Sequence, residues 1–252
     1  MRYFLELSYK GTAYNGWQIQ RNAPSVQGMI QQGLSTLLRA DTAVTGAGRT
    51  DTGVHAAYYV AHFDTETGLD DPGSFRYHLN ALLPHDIAVH RVVRVADEAH
   101  ARFDAVEREY RYYIRREKDP FTRDLSWQLY TDLDLGAMNE AAALLTGYDD
   151  FTSFAKLHSA NKTNICHISH AGWTQEGAQS IFTVRADRFL RNMVRALVGT
   201  LVDVGRGRLD VDDFRRVVES RNLALSSGSA PAQGLFLTDI RYPDHILNHT
   251  IK

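Results

Sequence analysis

The chain has 252 residues, 44% of them hydrophobic and 23% charged, with a formal net charge of −2. This balance excludes disordered, collagen-like, coiled-coil and disulfide-rich classes, and the length suits one large or two modest domains at ~100 to 200 residues each. One cysteine, Cys166, cannot form an internal disulfide and suits a reducing compartment, the cytoplasm by default. No apolar run approaches the ~18 to 20 residues of a membrane span, and Met1 to Glu6 lacks a signal-peptide pattern, so the expectation is a protein neither secreted nor inserted.

Arg2 to Gly11 alternates and is rich in Tyr, Phe and Leu, which predicts a strand ending in a turn-prone segment, Gly11 to Gly16. After Pro24, apolar residues at Val26, Met29, Ile30, Leu34, Leu37 and Leu38 have the spacing of an amphipathic helix from Ser25 to about Ala40. Ala43 to Thr45 and Val54 to Phe63 read as extended, Phe75 to Leu83 as a helix stopped by Pro84, and Ile87 to Val95 as a strand. A first βαββαβ-like unit thus closes near residue 95.

Further on, Glu109 to Arg115 reads as a strand and Leu135 to Leu145, between Asp134 and Gly147, as a helix. Asn164 to Thr174 and Ser180 to Ala186 read as strands, Phe189 to Val204 and Val211 to Arg221 as helices, and Leu235 to Arg241 as the last strand. The pattern predicts an α+β protein of two similar halves with a join near residues 96 to 108. The first half, residues 1–100, carries a glycine-rich loop; the second, residues 101–252, carries a tyrosine strand and an arginine helix.

The loop is Gly46-Ala47-Gly48-Arg49-Thr50-Asp51-Thr52-Gly53-Val54-His55-Ala56. A dinucleotide-binding turn needs a third glycine where Asp51 stands and a helix where Thr52 to Val60 reads as extended, so that reading fails. A P-loop would need Gly-Lys-Ser/Thr, and a serine hydrolase elbow Gly-x-Ser-x-Gly; neither occurs. What remains is a tight turn, permitted by Gly46, Gly48 and Gly53 and bonded from inside by Thr50 and Thr52, that projects the Asp51 carboxylate beside the Arg49 guanidinium. By local pattern alone Asp51 could simply cap the turn.

The segment closely resembles the Gly-Arg-Thr-Asp-Ala-Gly-Val-His motif of the tRNA pseudouridine synthase A (TruA) family. The similarity continues through Tyr14 to Gln18, Ser25-Val26-Gln27, Asn80 to Ile87, His100 to Ala105, Tyr110-Arg111-Tyr112, Asp150 to Phe154, Met193-Val194-Arg195 and Ala230 to Leu235. Together these motifs span nearly the whole chain in the family's order. Thr52 replaces the family's usual Ala, a change expected to alter loop packing rather than chemistry.

The resemblance implies two ferredoxin-like, RRM-like halves joined into one mixed, mostly antiparallel central sheet flanked by helices, the pseudouridine synthase fold, with the active-site cleft between the halves. It implies isomerisation of uridine to pseudouridine in the anticodon stem-loop of tRNA, at positions 38 to 40, by a homodimer whose subunits share one tRNA. Substrate and product have the same atoms and oxidation state, so no cofactor is expected. Asp51 carries over as the catalytic carboxylate, acting at C1′ or C6 as nucleophile or at C2′ as base, and each role needs it ionised beside a cation.

On a helical wheel through 188–201, Arg188, Arg191 and Arg195 flank one apolar stripe, which alone reads as a solvated edge. With the family match Arg195 carries over as the partner of Asp51, leaving Arg188 and Arg191 as phosphate contacts. Tyr110, Tyr112 and Ile114 share a strand face. Tyr110 carries over as the tyrosine stacked on the target base, with Arg49 placed to fill the vacated stack or grip its phosphate.

Of the cations 23 are Arg and 5 are Lys, a bias that suits phosphate contact and base stacking but that a GC-rich genome would also produce. Cys166, His167 and His170 resemble a fragment of a metal site, without a second Cys pair, and read as ordinary strand residues; His55 and His62 read as structural. The competing reading is a non-catalytic RNA-binding protein of two α+β modules. Asp51 argues against it, since a binding module gains nothing from aiming a carboxylate at a polyanion.

Overall fold

The computed structural model describes residues 1–156 and 163–247. The fold is mixed α+β, with nine strands among the described residues forming a large mixed open sheet flanked by helices. It divides into two compact units, Met1–Glu107 with the chain from Leu237 onward, and Arg108–Phe236. No helix among the described residues is long and apolar enough to cross a membrane.

The first unit has the expected order: β1 (Arg2–Tyr9), α1 (Val26–Leu38), β2 (Val44–Gly46), β3 (His55–Asp64), α2 (Pro72–Leu82) and β4 (Ile87–Val95). β1 runs antiparallel between β3 and β4, and β2 pairs antiparallel with β3. Local chemistry sets the helix ends. The Ser25 hydroxyl accepts from the Gly28 N–H at 3.2 Å to start α1, while Asp71 accepts from Gly73 at 2.8 Å ahead of Pro72 at the first position of α2. Leu83 turns extended before Pro84, ending that helix.

Tyr3, Leu5, Leu7 and Tyr9 alternate along β1 and are all buried. Phe4, on the opposite face, is also fully buried, because Tyr242 lies across it with ring centres 5.7 Å apart and His62 stacks beside it at 6.1 Å. His62 Nδ1 accepts the Ala101 N–H at 3.1 Å, so its ring must be neutral at that nitrogen, and His100 sits edge-on to it at 4.7 Å. His62 is thus structural, as is His55, which is fully buried and accepts the Gly11 N–H at 2.9 Å.

The second unit contains most of β5 (Glu107–Arg115), then β6 (Trp127–Gln128), α3 (Leu135–Leu144), β7 (Ile168–Glu176), β8 (Gln179–Ala186), α4 (Met193–Gly205) and α5 (Val211–Ser220). The last strand, β9 (Leu235–Arg241), passes from the second unit back into the first. β8 is antiparallel to both β5 and β7, and β6 adds a short parallel pairing at the end of β5. Asp210 and Asp213 form a reciprocal capping box that starts α5.

Three boundaries depart from the sequence reading, the first being α2, which begins at Pro72, behind the Asp71 cap, rather than at Phe75. β7 begins at Ile168 rather than Asn164, because the preceding backbone pairs elsewhere: Phe151 donates to the Asn164 carbonyl at 3.1 Å and Cys166 to that of Asp149 at 2.9 Å. α4 begins at Met193 rather than Phe189, because Asn192 takes the left-handed conformation at φ 66°. Asn tolerates that region, and the Met193 N–H closes a turn onto the Leu190 carbonyl at 3.1 Å. Leu190 is buried and keeps the apolar period going where the helix has not begun.

Burial, with the nearby Arg2 guanidinium and His100 adding to it, pushes the His62 pKa from 6.5 down to about 4. The unfolded chain therefore takes up a proton between those values that the fold refuses, and stability must fall as pH drops from about 6.5 towards about 4. Thermal melts across the upper part of that window, above the range where carboxylates protonate, are expected to show this slope in the parent protein and a flatter one in His62→Asn.

Candidate active site

In the first unit, residues 47–54 join β2 to β3 without a ladder of their own. At Gly46 a Cβ would stand 2.2 Å from the Tyr59 hydroxyl and 2.4 Å from the Trp17 ring, so only glycine fits. Gly53 adopts φ 78°, which carries the chain round the turn, and the Asp51 carbonyl accepts the Val54 N–H at 3.1 Å to close it. Gly48 has a different standing: nothing lies within 4 Å of a Cβ built there and its φ is not positive, so neither close approach nor backbone strain demands glycine.

Thr50 bonds the loop from inside, as expected, sharing a 2.8 Å hydrogen bond with the buried Tyr9 hydroxyl. Thr52 is exposed and plays no such part in the interior. The Tyr14 to Gln18 segment wraps the loop: Trp17 N–H donates to the Thr50 carbonyl and Gly53 N–H to that of Tyr14, each at 3.3 Å. The Tyr14 hydroxyl is tied in turn to Asp86, and its pKa is pushed up by burial and by that carboxylate. Against this fixed backbone Asp51 is half-buried and Arg49 exposed.

In the second unit, Tyr110 is half-buried on β5 and meets the Phe189 ring edge-on at 5.0 Å and 87°. Its neighbour Glu109 is buried and held between Arg111 at 3.0 Å and Arg185 at 2.6 Å. Tyr112, on the same face as Tyr110, is fully buried and donates to the Pro231 carbonyl at 2.7 Å. Burial pushes its phenol pKa up, and the Arg195 guanidinium opposes that shift.

Arg195 is the third residue of α4. Its Nε donates to the Ala230 carbonyl at 2.7 Å while the Ala230 N–H donates to the Arg195 carbonyl at 2.9 Å, a reciprocal pair that fastens the Ala230-Pro231 loop to the helix start. A cation in the first turn meets the positive end of the helix dipole and forgoes ~0.3 to 1 kcal/mol. Helix stability is therefore not what places an arginine there.

Arg188 and Arg191 do not share a helical edge with Arg195, because both precede the left-handed Asn192. The wheel that grouped all three assumed a helix where the chain turns. Arg188 is half-buried, with its charge felt at Cys166, while Arg191 is exposed and its carbonyl accepts the Lys156 N–H at 3.2 Å. Cys166 is buried, which pushes its thiol up to about 12, and His167 pairs with Asp149 at 2.9 Å. Among the described residues no three His, Cys, Asp or Glu side chains gather to hold a metal.

The sequence reading missed Tyr9 and Tyr59 as supports of the loop. Their signal was weak: both sit on strands flanking the loop, where a tyrosine reads as ordinary packing.

The glycine-framed aspartate loop thus lies in one unit, and the tyrosine strand and the arginine-led helix lie in the other. The family model described as tRNA pseudouridine synthase covers residues 7–104 and 141–243. The chain belongs to the tRNA pseudouridine synthase family, and its α+β sheet architecture is consistent with that fold.

Among its relatives, it is 54% identical over 245 residues to "tRNA pseudouridine synthase A" of Parabacteroides distasonis, covering 97% of each chain. It is 54% identical over 246 residues to the protein of that name in Bacteroides fragilis, covering 97% of this chain and 98% of the other. Identity is 40% over 243 residues with that of Geobacter sp. strain M21, covering 95% and 98%.

The loop generates a stability test. Gly16 adopts φ 85°, and a Cβ there would stand 2.2 Å from the Thr50 carbonyl oxygen. Gly16→Ala is expected to destabilise the protein by more than about 1 kcal/mol in a denaturant titration, since strain and collision act together.

Proposed function

We infer that this chain isomerises uridine to pseudouridine in tRNA. The observation that carries the reading is family membership over nearly the full chain, at 54% identity to proteins named for that activity. In the reaction the N1–C1′ bond of a uridine breaks, the base turns, and a C5–C1′ bond forms; C5 loses a proton and N1 gains one. Atoms and oxidation state balance, so the demands on the protein are a charged group at the sugar or base, a base for the C5 proton, and a grip on the detached uracil.

Asp51 is our catalytic carboxylate, with Arg195 as the cation that keeps it ionised and aimed. The rigid turn around Asp51 and the placing of an arginine where the α4 dipole disfavours it support these roles. Tyr110 stacks on the target base and its phenolic oxygen, in the ionised form, takes the C5 proton and becomes the hydroxyl. Stacking is worth ~1 to 3 kcal/mol per base, suited to holding a uracil that is no longer bonded to its ribose. Arg49, exposed beside Asp51, takes the space the base vacates or grips its phosphate, and Arg188 and Arg191 contact phosphates on resemblance alone.

The substrate site is the anticodon stem-loop, and the enzyme works in the cytoplasm as a homodimer. A chain of −2 net charge gains from pairing, because two copies double the arginine surface that one polyanion meets. The non-catalytic RNA-binding reading is not favoured by the match.

Asp51→Asn keeps size and turn geometry but removes the charge. It is expected to fold, bind tRNA and form no detectable pseudouridine in a transcript assay; appreciable product would remove Asp51 from the chemistry. Tyr110→Phe keeps the ring, so tRNA affinity should stay near normal while single-turnover product formation slows severely. Tyr110→Ala should lose activity and also hold the base poorly, and a full rate in the Phe variant would reduce Tyr110 to a platform.

A further inference from the structure

Buried aromatic side chains support the Asp51 loop from beneath. Tyr59, in β3 and fully buried, donates its hydroxyl to the Gly48 carbonyl at 2.5 Å and accepts the Gly48 N–H at 3.3 Å. Tyr9, at the end of β1, shares its hydroxyl with Thr50 Oγ1 at 2.8 Å. The two rings meet edge-on at 5.6 Å, and Trp17 stacks on Tyr59 at 4.2 Å while its backbone binds the Thr50 carbonyl.

Arg49 lies between the two anchored residues and Asp51 immediately follows the second. Burying a hydroxyl costs free energy unless a partner is found, and phenylalanine would fill the same space without that cost. Packing explains the rings; it does not explain the hydroxyls, which bond the backbone of Gly48 and the side chain of Thr50 rather than each other.

We infer that the Tyr9 and Tyr59 hydroxyls are positioning groups for the reaction: they fix the chain on either side of Arg49 and so set the direction in which the Asp51 carboxylate leaves the loop. This rests on the reading of Asp51 as the catalytic carboxylate. Neither hydroxyl touches the reacting atoms, so their loss acts on turnover through geometry, where a shift of ~1 Å can cost ~100-fold. With two anchors sharing the loop, each single loss should cost about tenfold.

The test uses Tyr9→Phe and Tyr59→Phe in the whole protein, with single-turnover pseudouridine formation at saturating enzyme measured beside tRNA affinity, well below each variant's melting temperature. The expected result is a rate lowered about tenfold in each variant with affinity within about twofold of the parent. Thr50→Val should match Tyr9→Phe, the two together should be no slower than either alone, and Thr50→Ser, which keeps the oxygen, should recover most of the rate lost in Thr50→Val.

Parental rates in both phenylalanine variants, or losses that merely follow the unfolded fraction, would overturn the inference. If Asp51→Asn is active, the reading of Asp51 has failed; if it is inactive while both phenylalanine variants run at the parental rate, only the positioning role has.

Discussion

A carboxylate carried on a loop needs its backbone fixed by something other than a helix or sheet ladder, because residues 47–54 belong to neither. The holders are core groups that rise to meet the loop. Tyr59 closes both polar groups of Gly48, Tyr9 takes the Thr50 hydroxyl, and the Tyr14 to Trp17 segment bonds Thr50 and Gly53. Gly46 and Gly16 are empty of side chain where these groups approach the loop most closely, so the clamp and the glycines are one device. The interior of the first unit supplies the rigidity, and Asp51 and Arg49 stand outside it.

The second unit solves a related problem by other means. Arg195 is fastened through Nε and its own carbonyl to Ala230, and the next residue, Pro231, receives the Tyr112 hydroxyl from the buried strand face. The loop at 230–231 is thus hydrogen-bonded both to the strand and to the helix start that carries the guanidinium. α4 can carry a cation at its unfavourable end because eleven of its thirteen residues are buried, and burial at ~1.5 to 3 kcal/mol per large apolar side chain outweighs a dipole term below ~1 kcal/mol.

Many of the arginines serve the fold. Arg2 pairs with Asp64, Arg91 with Glu6, Arg208 with Asp203, and Arg111 and Arg185 grip the single buried carboxylate of Glu109. The net charge of −2 follows from 30 Asp and Glu against 28 Lys and Arg, and these pairs set the opposite charges side by side. Exposed pairs contribute ~0 to 1 kcal/mol each, so their larger effect is to cancel charge locally. An arginine count therefore says little about an RNA face; the arginines that matter are set by position in the fold.

The sequence by itself determined what is local. Alternation marked β1, threefold and fourfold spacing marked α1, and Asp134 marked the start of α3, because each signal acts within a few residues of its cause. The motif around Asp51 was legible for the same reason: its glycines and charges are contiguous.

Tertiary structure alone decided the rest. The apolar period ran on through Leu190, but Asn192 in the left-handed region delayed α4 and detached Arg188 and Arg191 from Arg195. Phe4 is buried against the alternation because Tyr242, far along the chain, covers it. Tyr9 reaches the loop only when β1 and β3 pair, and Tyr59, though close in sequence, turns its hydroxyl back onto Gly48 only when β2 and β3 pair.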